Sequence, residues 1–221
     1  VKAALTAAKK KNPKLITHCD AVQGFLKIPF SASDLQADLL TVSGHKIHAA
    51  KGIGALRYQK GVKLQPLLYG GEQEKGFRPG TESVPLIAGF GAAAEAMRKT
   101  LEPRRHHAQS LRTECIAQLL LLDVIRIHSP EHGSPFILSF SVQGLRSETL
   151  LHFLAEREIY VSSGSACSKG KQSGVLRQFG VPDALADSTI RVSFSAENTS
   201  DDIRMLTEAI AIAQKTLIHK R

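Results

Sequence analysis

The chain has 221 residues, of which 43% are hydrophobic, and its formal net charge at pH 7 is +9. This length allows one large domain or two small ones with a sizeable core. The apolar runs are far shorter than a membrane span, and we expect neither a membrane helix nor a signal peptide. The basic residues are dispersed and only 5% of residues are aromatic, so we expect no direct nucleic-acid binding.

The first part of the chain is predicted to form an α/β layer. Residues 1–11 are rich in Ala and Lys and predict the end of a helix, which Asn12-Pro13 terminates. Strands about twenty residues apart, with helix between some of them, are typical of an α/β protein. Short apolar runs predict three such strands, over residues 14–19, 38–42 and 53–58.

One lysine directly follows the second predicted strand, in the sequence Ser43-Gly44-His45-Lys46. Open α/β sheets bind their ligands at the carboxyl ends of their strands. A lysine held there suits Schiff-base chemistry on an aldehyde cofactor, and Ser43 and His45 can donate to a phosphate. The alternative is an ordinary solvated loop lysine.

A carboxylate ends the first predicted strand, where Asp20 precedes Gln23 by three residues. Such a carboxylate can hold a heterocyclic nitrogen protonated, and the alternative is an Asp that caps a turn.

Metal binding and dinucleotide binding are not expected. Adjacent strand residues such as His18 and Cys19 point to opposite faces, and His45 and His48 lie in a glycine-bounded loop without a nearby carboxylate or cysteine. Neither a dinucleotide-binding glycine pattern nor a P-loop is complete. The three cysteines lack the spacing of a zinc site or a disulfide framework, so we expect a reducing, cytoplasmic setting.

A domain boundary is predicted near residue 85. A glycine-rich loop over residues 70–81 precedes an Ala-rich helical stretch that runs from Pro85 towards Leu122 and is interrupted near Pro103. We therefore divide the chain into residues 1–85 and 86–221.

The second part alternates predicted strands and helices. A helix is predicted over residues 147–157, and Thr199 begins the last helix with a pattern like a capping box. Strands are predicted over residues 123–128, 136–142, 159–161 and 189–195.

Two residues of this second part suggest chemistry. Cys167 lies in a loop of Ser, Gly and Lys, an exposed and electropositive setting that favours a reactive thiolate over an incidental surface thiol. Arg191 projects from the polar side of an otherwise apolar strand, where its guanidinium matches a substrate carboxylate. The alternative for Arg191 is an ion pair with a neighbouring acidic residue.

Five segments in this order resemble the cysteine desulfurases of the class V aminotransferase superfamily. They read HCDAVQ, SGHKIHAAKGIGAL, GGEQEKGFRPGT, SSGSAC and TIRVSFS and are spread over nearly the whole chain. The resemblance implies the α/β fold of type I transferases that depend on pyridoxal 5'-phosphate. It implies that the chain supplies the rear part of the large domain and a smaller carboxyl-terminal domain.

The resemblance also implies roles for single residues. Asp20 would pair with the pyridinium nitrogen of pyridoxal phosphate, and Gln23 would meet the ring hydroxyl. Lys46 would form the Schiff base, and Ser43 and His45 would bind the phosphate. Three further residues carry implied roles: Thr81 for the phosphate of a neighbouring subunit in a homodimer, Cys167 as the thiol that takes sulfur, and Arg191 for the substrate carboxylate.

The implied reaction transfers sulfur from L-cysteine to Cys167 and releases L-alanine. A sulfur-acceptor protein would follow, either an iron–sulfur scaffold or a relay for tRNA thiolation. Family chains are much longer, because they begin with segments that stack on the cofactor and hold its phosphate. We therefore expect this chain by itself to be inactive.

Three other classes of function stay open: another enzyme of the same fold, a non-catalytic scaffold, and a nucleic-acid-binding protein. A selenocysteine lyase or an aminotransferase would share the fold, although an aminotransferase needs no nucleophilic thiol such as Cys167. A non-catalytic scaffold for sulfur-transfer partners would not need the set formed by Asp20, Gln23, Lys46 and Arg191. Nucleic-acid binding would need a clustered basic face.

Overall fold

The protein was analysed as a computed structural model, which describes residues 1–163, 176 and 178–217. It mixes helices and sheets, and the predicted α/β class is confirmed. The chain divides into two compact units, unit 1 (Val1–Leu101) and unit 2 (Glu102–Arg221). In the described ranges, no helix is both long and apolar enough to cross a membrane.

Unit 1 contains a three-stranded sheet, three α-helices and two 3₁₀ turns. Strand β1 pairs in parallel with β2, and β3 pairs antiparallel with β2. Because β1 and β2 are parallel, their carboxyl ends meet at one edge of the sheet. The elements are α1 (Lys2–Lys11), β1 (His18–Asp20), α2 (Ala32–Leu35), β2 (Leu39–Ser43), β3 (Gly54–Tyr58), α3 (Val84–Lys99) and two 3₁₀ turns, Gly44–Ile47 and Gln73–Gly76.

Strand β1 begins at His18, later than the predicted start at residue 14. The backbone N–H and hydroxyl of Thr17 both donate to the Asp38 carboxylate, at 2.8 and 2.9 Å. The Asp38 side chain thus binds the Thr17 N–H, which a longer strand would use in its ladder. Regular pairing therefore starts at the next residue, His18.

Unit 2 contains an antiparallel sheet with the strand order β4-β5-β7-β6. The predicted strand over residues 159–161 is wrong in position, because the Ile159 N–H closes the preceding helix on Leu154 O and pairing begins at Ser162. The elements are α4 (Leu101–Leu119), β4 (Ile125–Ile127), β5 (Ile137–Val142), α5 (Ser147–Ala155), β6 (Ser162–Ser163), α6 (Asp183–Ala186), β7 (Thr189–Ser193) and α7 (Ser200–Thr216).

The apolar core of unit 2 lies on one face of this sheet. Alternate β7 residues such as Ile190 and Val192 are buried there together with side chains of α4, α5 and α7. The predicted start of α7 is confirmed, since Thr199 and Asp202 exchange the two hydrogen bonds of a capping box. This cap satisfies backbone donors that the first turn of a helix leaves free.

The two compact units divide after α3, whereas the sequence placed the division in the first turn of this helix. Leu86 of α3 approaches Gly52, and Phe90 makes an edge-on ring contact with Phe25 in unit 1. The domains 1–85 and 86–221 stay a prediction.

Candidate functional site

Asp20 lies at the carboxyl end of β1, opposite Thr41 of β2. The Ala21 N–H donates to Thr41 O at 2.9 Å, and Asp20 Oδ1 accepts the Val22 N–H at 2.9 Å. The carboxylate is exposed, and Oδ2 makes no hydrogen bond with any described residue. One oxygen therefore fixes the side chain while the other can accept a ligand.

Gln23 is exposed in the turn that follows Asp20. Its Oε1 atom accepts a hydrogen bond from Lys27 Nζ at 3.2 Å. The turn is closed by the Gly24 N–H, which donates to Ala21 O at 3.0 Å. Gln23 therefore lies in a closed turn that directly follows the end of β1.

Ser43 and His45 are hydrogen-bonded at the neighbouring strand end. Ser43 is the last residue of β2, and its Oγ lies 2.8 Å from His45 Nδ1. Lys46 follows in the same 3₁₀ turn, where the side chain is half-buried and its amine makes no ion pair with a described residue. Ile47 is fully buried and anchors the turn.

The turn requires glycine at position 44. A Cβ atom there would lie 2.8 Å from Ile53 Cγ2 and 3.1 Å from Ala49 Cβ. The Gly44 N–H donates to Ile53 O at 2.9 Å, which brings the two chain segments together behind Lys46. Only a residue without a side chain allows this close approach.

Thr81 is exposed and lies outside the helices and strands of unit 1. No hydrogen bond between described side chains joins it to the edge formed by β1 and β2. Cys167 lies outside the described residues.

Arg191 lies on β7 of unit 2, between Ser139 of β5 and Ser162 of β6. Its side chain is half-buried, on the opposite face from Ile190 and Val192. The Nε atom is buried and has no hydrogen-bond partner among the described residues. A buried donor of this kind costs free energy until an acceptor reaches it, so it favours an anionic ligand.

Two residues beside Asp20 escaped the sequence-based interpretation. His18 Nε2 lies 2.6 Å from Thr41 Oγ1, and alternation along β1 places His18 on the same face as Asp20. The two-residue spacing of His18 and Asp20 could have placed both side chains on one face of the strand. The pairing of β1 with Thr41 was not visible in the sequence. Over the described residues, no group of three His, Cys, Asp or Glu side chains is placed to hold a metal ion.

Unit 1 therefore has the organisation of α/β enzymes that hold a ligand at the carboxyl ends of neighbouring strands. The family model described as aminotransferase class-V matches residues 1–206. The chain belongs to the class-V aminotransferase family.

Curated relatives with similar sequences are named cysteine desulfurases. The Rhodobacter capsulatus protein is 36% identical over 218 residues, which cover 97% of this chain and 56% of that protein. The mitochondrial protein of Saccharomyces cerevisiae is 38% identical over 213 residues, covering 94% of this chain and 42% of that protein. The chain thus spans about half the length of the curated relatives it matches.

Solved structures confirm the predicted type I transferase fold. A NifS-like protein superposes with a TM-score of 0.87 at 34% sequence identity. The superposition covers 98% of this chain and 57% of the chain of that protein. A NifS-like protein from Rickettsia africae gives a TM-score of 0.86 at 31% identity, with 97% and 57% of the two chains covered.

The residues at the edge of β1 and β2 fit pyridoxal phosphate, the cofactor on which this family depends. The free Asp20 Oδ2 suits a protonated ring nitrogen, and the unpaired Lys46 amine suits an aldehyde. The Ser43–His45 pair provides polar hydrogen atoms for a phosphate at the same edge.

Proposed function

We propose that the protein is a cysteine desulfurase that depends on pyridoxal phosphate and transfers sulfur from L-cysteine to Cys167. The proposal rests on the groups that meet at one sheet edge. These are the Ser43–His45 pair, and the Asp20 Oδ2 atom and the Lys46 amine, which have no partner among the described residues. The names of the relatives support the choice of L-cysteine as substrate.

Each residue at the edge would hold one part of the cofactor. Asp20 Oδ2 would accept the hydrogen bond of the ring nitrogen, and Gln23 would approach the ring hydroxyl. Ser43 and His45 would hold the phosphate, and Lys46 would bond to the aldehyde carbon. When bound, pyridoxal phosphate supplies an electron sink for bonds at the substrate α-carbon.

The protein residues would then divide the chemistry between them. Arg191 would orient the substrate carboxylate through its unpartnered Nε–H. The Lys46 amine would take the α-proton and return a proton to the product. The Cys167 thiolate would attack the substrate sulfur. The carbon–sulfur bond breaks as the persulfide forms, and L-alanine leaves after protonation of its β-carbon.

Two other classes of function remain as alternatives, another enzyme of the same fold and a non-catalytic scaffold. A selenocysteine lyase would use the same residues on a selenium substrate, and an aminotransferase would not need Cys167. A non-catalytic scaffold for sulfur-transfer partners would leave the Lys46 amine and the free Asp20 oxygen without a use. We therefore favour the desulfurase.

The proposal extends to partners and location. Thr81 would contact the phosphate of a neighbouring subunit, which makes the protein a homodimer. The sulfur acceptor would be an iron–sulfur scaffold or a tRNA thiolation relay, in the cytoplasm. Matching proteins include the IscS desulfurase of Methanosarcina thermophila and DndA of Streptomyces lividans, so the names of similar proteins do not select one acceptor.

The test is the production of alanine and sulfide from L-cysteine by the full-length protein. We expect the Cys167→Ser variant to retain the absorbance of bound cofactor and to lose sulfide release, because a hydroxyl group cannot carry a persulfide. A Cys115→Ser variant is the matched control, since Cys115 is buried in the core of unit 2. Sulfide release by the Cys167→Ser variant at the parent rate would contradict the proposal.

A further inference from the structure

A solvent-open cavity of unit 1, with more apolar than polar surface in its lining, lies away from the edge formed by β1 and β2. It has a volume of about 340 Å³, and α1, α2 and β3 each contribute to its lining. Lys9, Gln36, Arg57 and Gln59 supply its long polar side chains. Arg57 pairs with Leu40 across the sheet, so its side chain leaves the face opposite to that of Thr41. The cavity is therefore separate from the candidate cofactor site.

Three exposed side chains of the cavity, those of Gln36, Arg57 and Gln59, carry N–H donors without an acceptor in the described part of the chain. Arg57 donates from Nη1 to Ala37 O at 3.0 Å, and its remaining guanidinium N–H groups have no acceptor in the described structure. The Gln36 side chain uses only its oxygen, which accepts from Thr6 Oγ1 at 2.8 Å. The side-chain amide of Gln59 makes no hydrogen bond with a described residue.

The carboxylate next to the cavity is already saturated. Asp38 accepts hydrogen bonds from Lys9 Nζ at 2.6 Å and from the N–H and hydroxyl of Thr17. The hydrogen bond from Lys9 holds the pKa of Asp38 below its ordinary value, which keeps the carboxylate ionised. Asp38 thus neutralises Lys9, whereas the exposed guanidinium of Arg57 makes no ion pair with a described residue.

We propose that this cavity binds the phosphate group of a small phosphorylated molecule. A phosphate presents three strongly accepting oxygens, which suits the guanidinium of Arg57 and the amide N–H groups of Gln36 and Gln59. A carboxylate has only two oxygens for the same donors. The volume lies at the lower end of the range for small-molecule sites, which leaves space for more than the phosphate group.

The experiment is a titration of the ¹⁵N-labelled full chain with inorganic phosphate, followed by NMR at constant ionic strength. We expect saturable shifts of the amides of Ala37, Arg57 and Gln59. Sodium acetate, tested as the carboxylate control, should bind more weakly. Phosphate can also occupy the candidate cofactor site, and shifts at residues 43–46 report that event separately.

Three variants test whether phosphate binds in the cavity or is attracted by positive charge in general. Arg57→Gln should weaken phosphate binding by about tenfold or more, because it removes a charge-assisted hydrogen bond. Lys63→Gln removes the same charge from a similarly exposed residue outside the cavity and should leave the affinity unchanged. Gln59→Leu removes an amide donor without a change of charge and should also weaken binding, which separates recognition by the cavity from general attraction.

The proposal is overturned by any of three results. These are shifts confined to residues 43–46, equal affinity for acetate and phosphate, and equal losses in Arg57→Gln and Lys63→Gln. Each variant is checked first for a parent-like amide spectrum, so that a loss of binding does not reflect a loss of structure.

Discussion

Unit 1 and unit 2 differ in what they bury. The large apolar cluster of the protein lies wholly within unit 2, from Ala108 to Ala213. In unit 1, the described residues that are both apolar and buried are few, and only three are larger than alanine: Ala21, Ala37, Leu40, Ile47 and Met97. Each fully buried large apolar side chain contributes about 1.5–3 kcal/mol, so most of the hydrophobic stabilisation belongs to unit 2.

The units also differ in charge. Residues 1–101 contain fifteen Lys and Arg residues against seven Asp and Glu, whereas residues 102–221 contain fourteen against thirteen. The basic excess therefore belongs to unit 1, which also holds the proposed phosphate contacts, Ser43 and His45. A positive field of this kind favours anionic ligands and opposes compaction through self-repulsion. The residues proposed to bind the cofactor therefore belong to unit 1, the unit with the smaller apolar core.

The largest expected effect is in limited proteolysis. We expect a protease to digest residues 1–101 at least about tenfold faster than a resistant fragment that begins near Glu102, because local opening is easier where few apolar contacts are buried. Mass spectrometry of the time course locates the start of the fragment. A start near residue 86 would show that α3 stays with unit 2. A fragment from residues 1–101 that outlasts unit 2 would contradict the comparison.

Truncation of buried leucine should be costly in unit 2. Leu154 is fully buried in the core of unit 2, and Leu154→Ala should lower the free energy of unfolding by about 2–5 kcal/mol. Leu56 of β3 is 48% exposed, and the matched Leu56→Ala variant should change this free energy by less than about 0.5 kcal/mol. Urea unfolding followed by circular dichroism measures both. Equal losses would show that Leu56 in unit 1 is packed as tightly as Leu154 in unit 2.

Alkaline pH should weaken unit 2 through a buried thiol. Burial raises the pKa of Cys115 to about 12, so the folded unit keeps the proton that the unfolded chain releases above about pH 9. The free energy of unfolding should therefore fall between pH 9 and 12, by at most about 1.4 kcal/mol per pH unit.

The control for this pH effect is a pair of cysteine variants. The Cys115→Ala variant should show a flatter decline of the unfolding free energy with pH, and the Cys19→Ala variant, altered in unit 1, should keep the parent slope. An unchanged slope in Cys115→Ala would assign the alkaline loss to other groups. The slope is compared rather than the absolute stability, because Cys115→Ala also removes a buried side chain.

The sequence predicted the site where local patterns decide the structure. The apolar run before Ser43 and the glycine after it placed Lys46 at a strand end, and alternation along β7 placed Arg191 on its polar face. These features depend on neighbouring residues only.

Long-range contacts were not predictable. The bond from Thr17 to Asp38 shortens β1, and the pair of His18 with Thr41 depends on strand register. Such contacts join residues whose separation along the chain carries no periodic signal.

The most direct test of the proposed function is the position of the covalently bound cofactor. The protein is saturated with pyridoxal phosphate, reduced with borohydride and mapped by peptide mass spectrometry. We expect the label on Lys46, its loss in Lys46→Ala and its retention in Lys51→Ala, because Lys46 lies in the 3₁₀ turn that directly follows β2 and Lys51 lies outside that turn. A label on Lys51 in the parent protein would contradict the account.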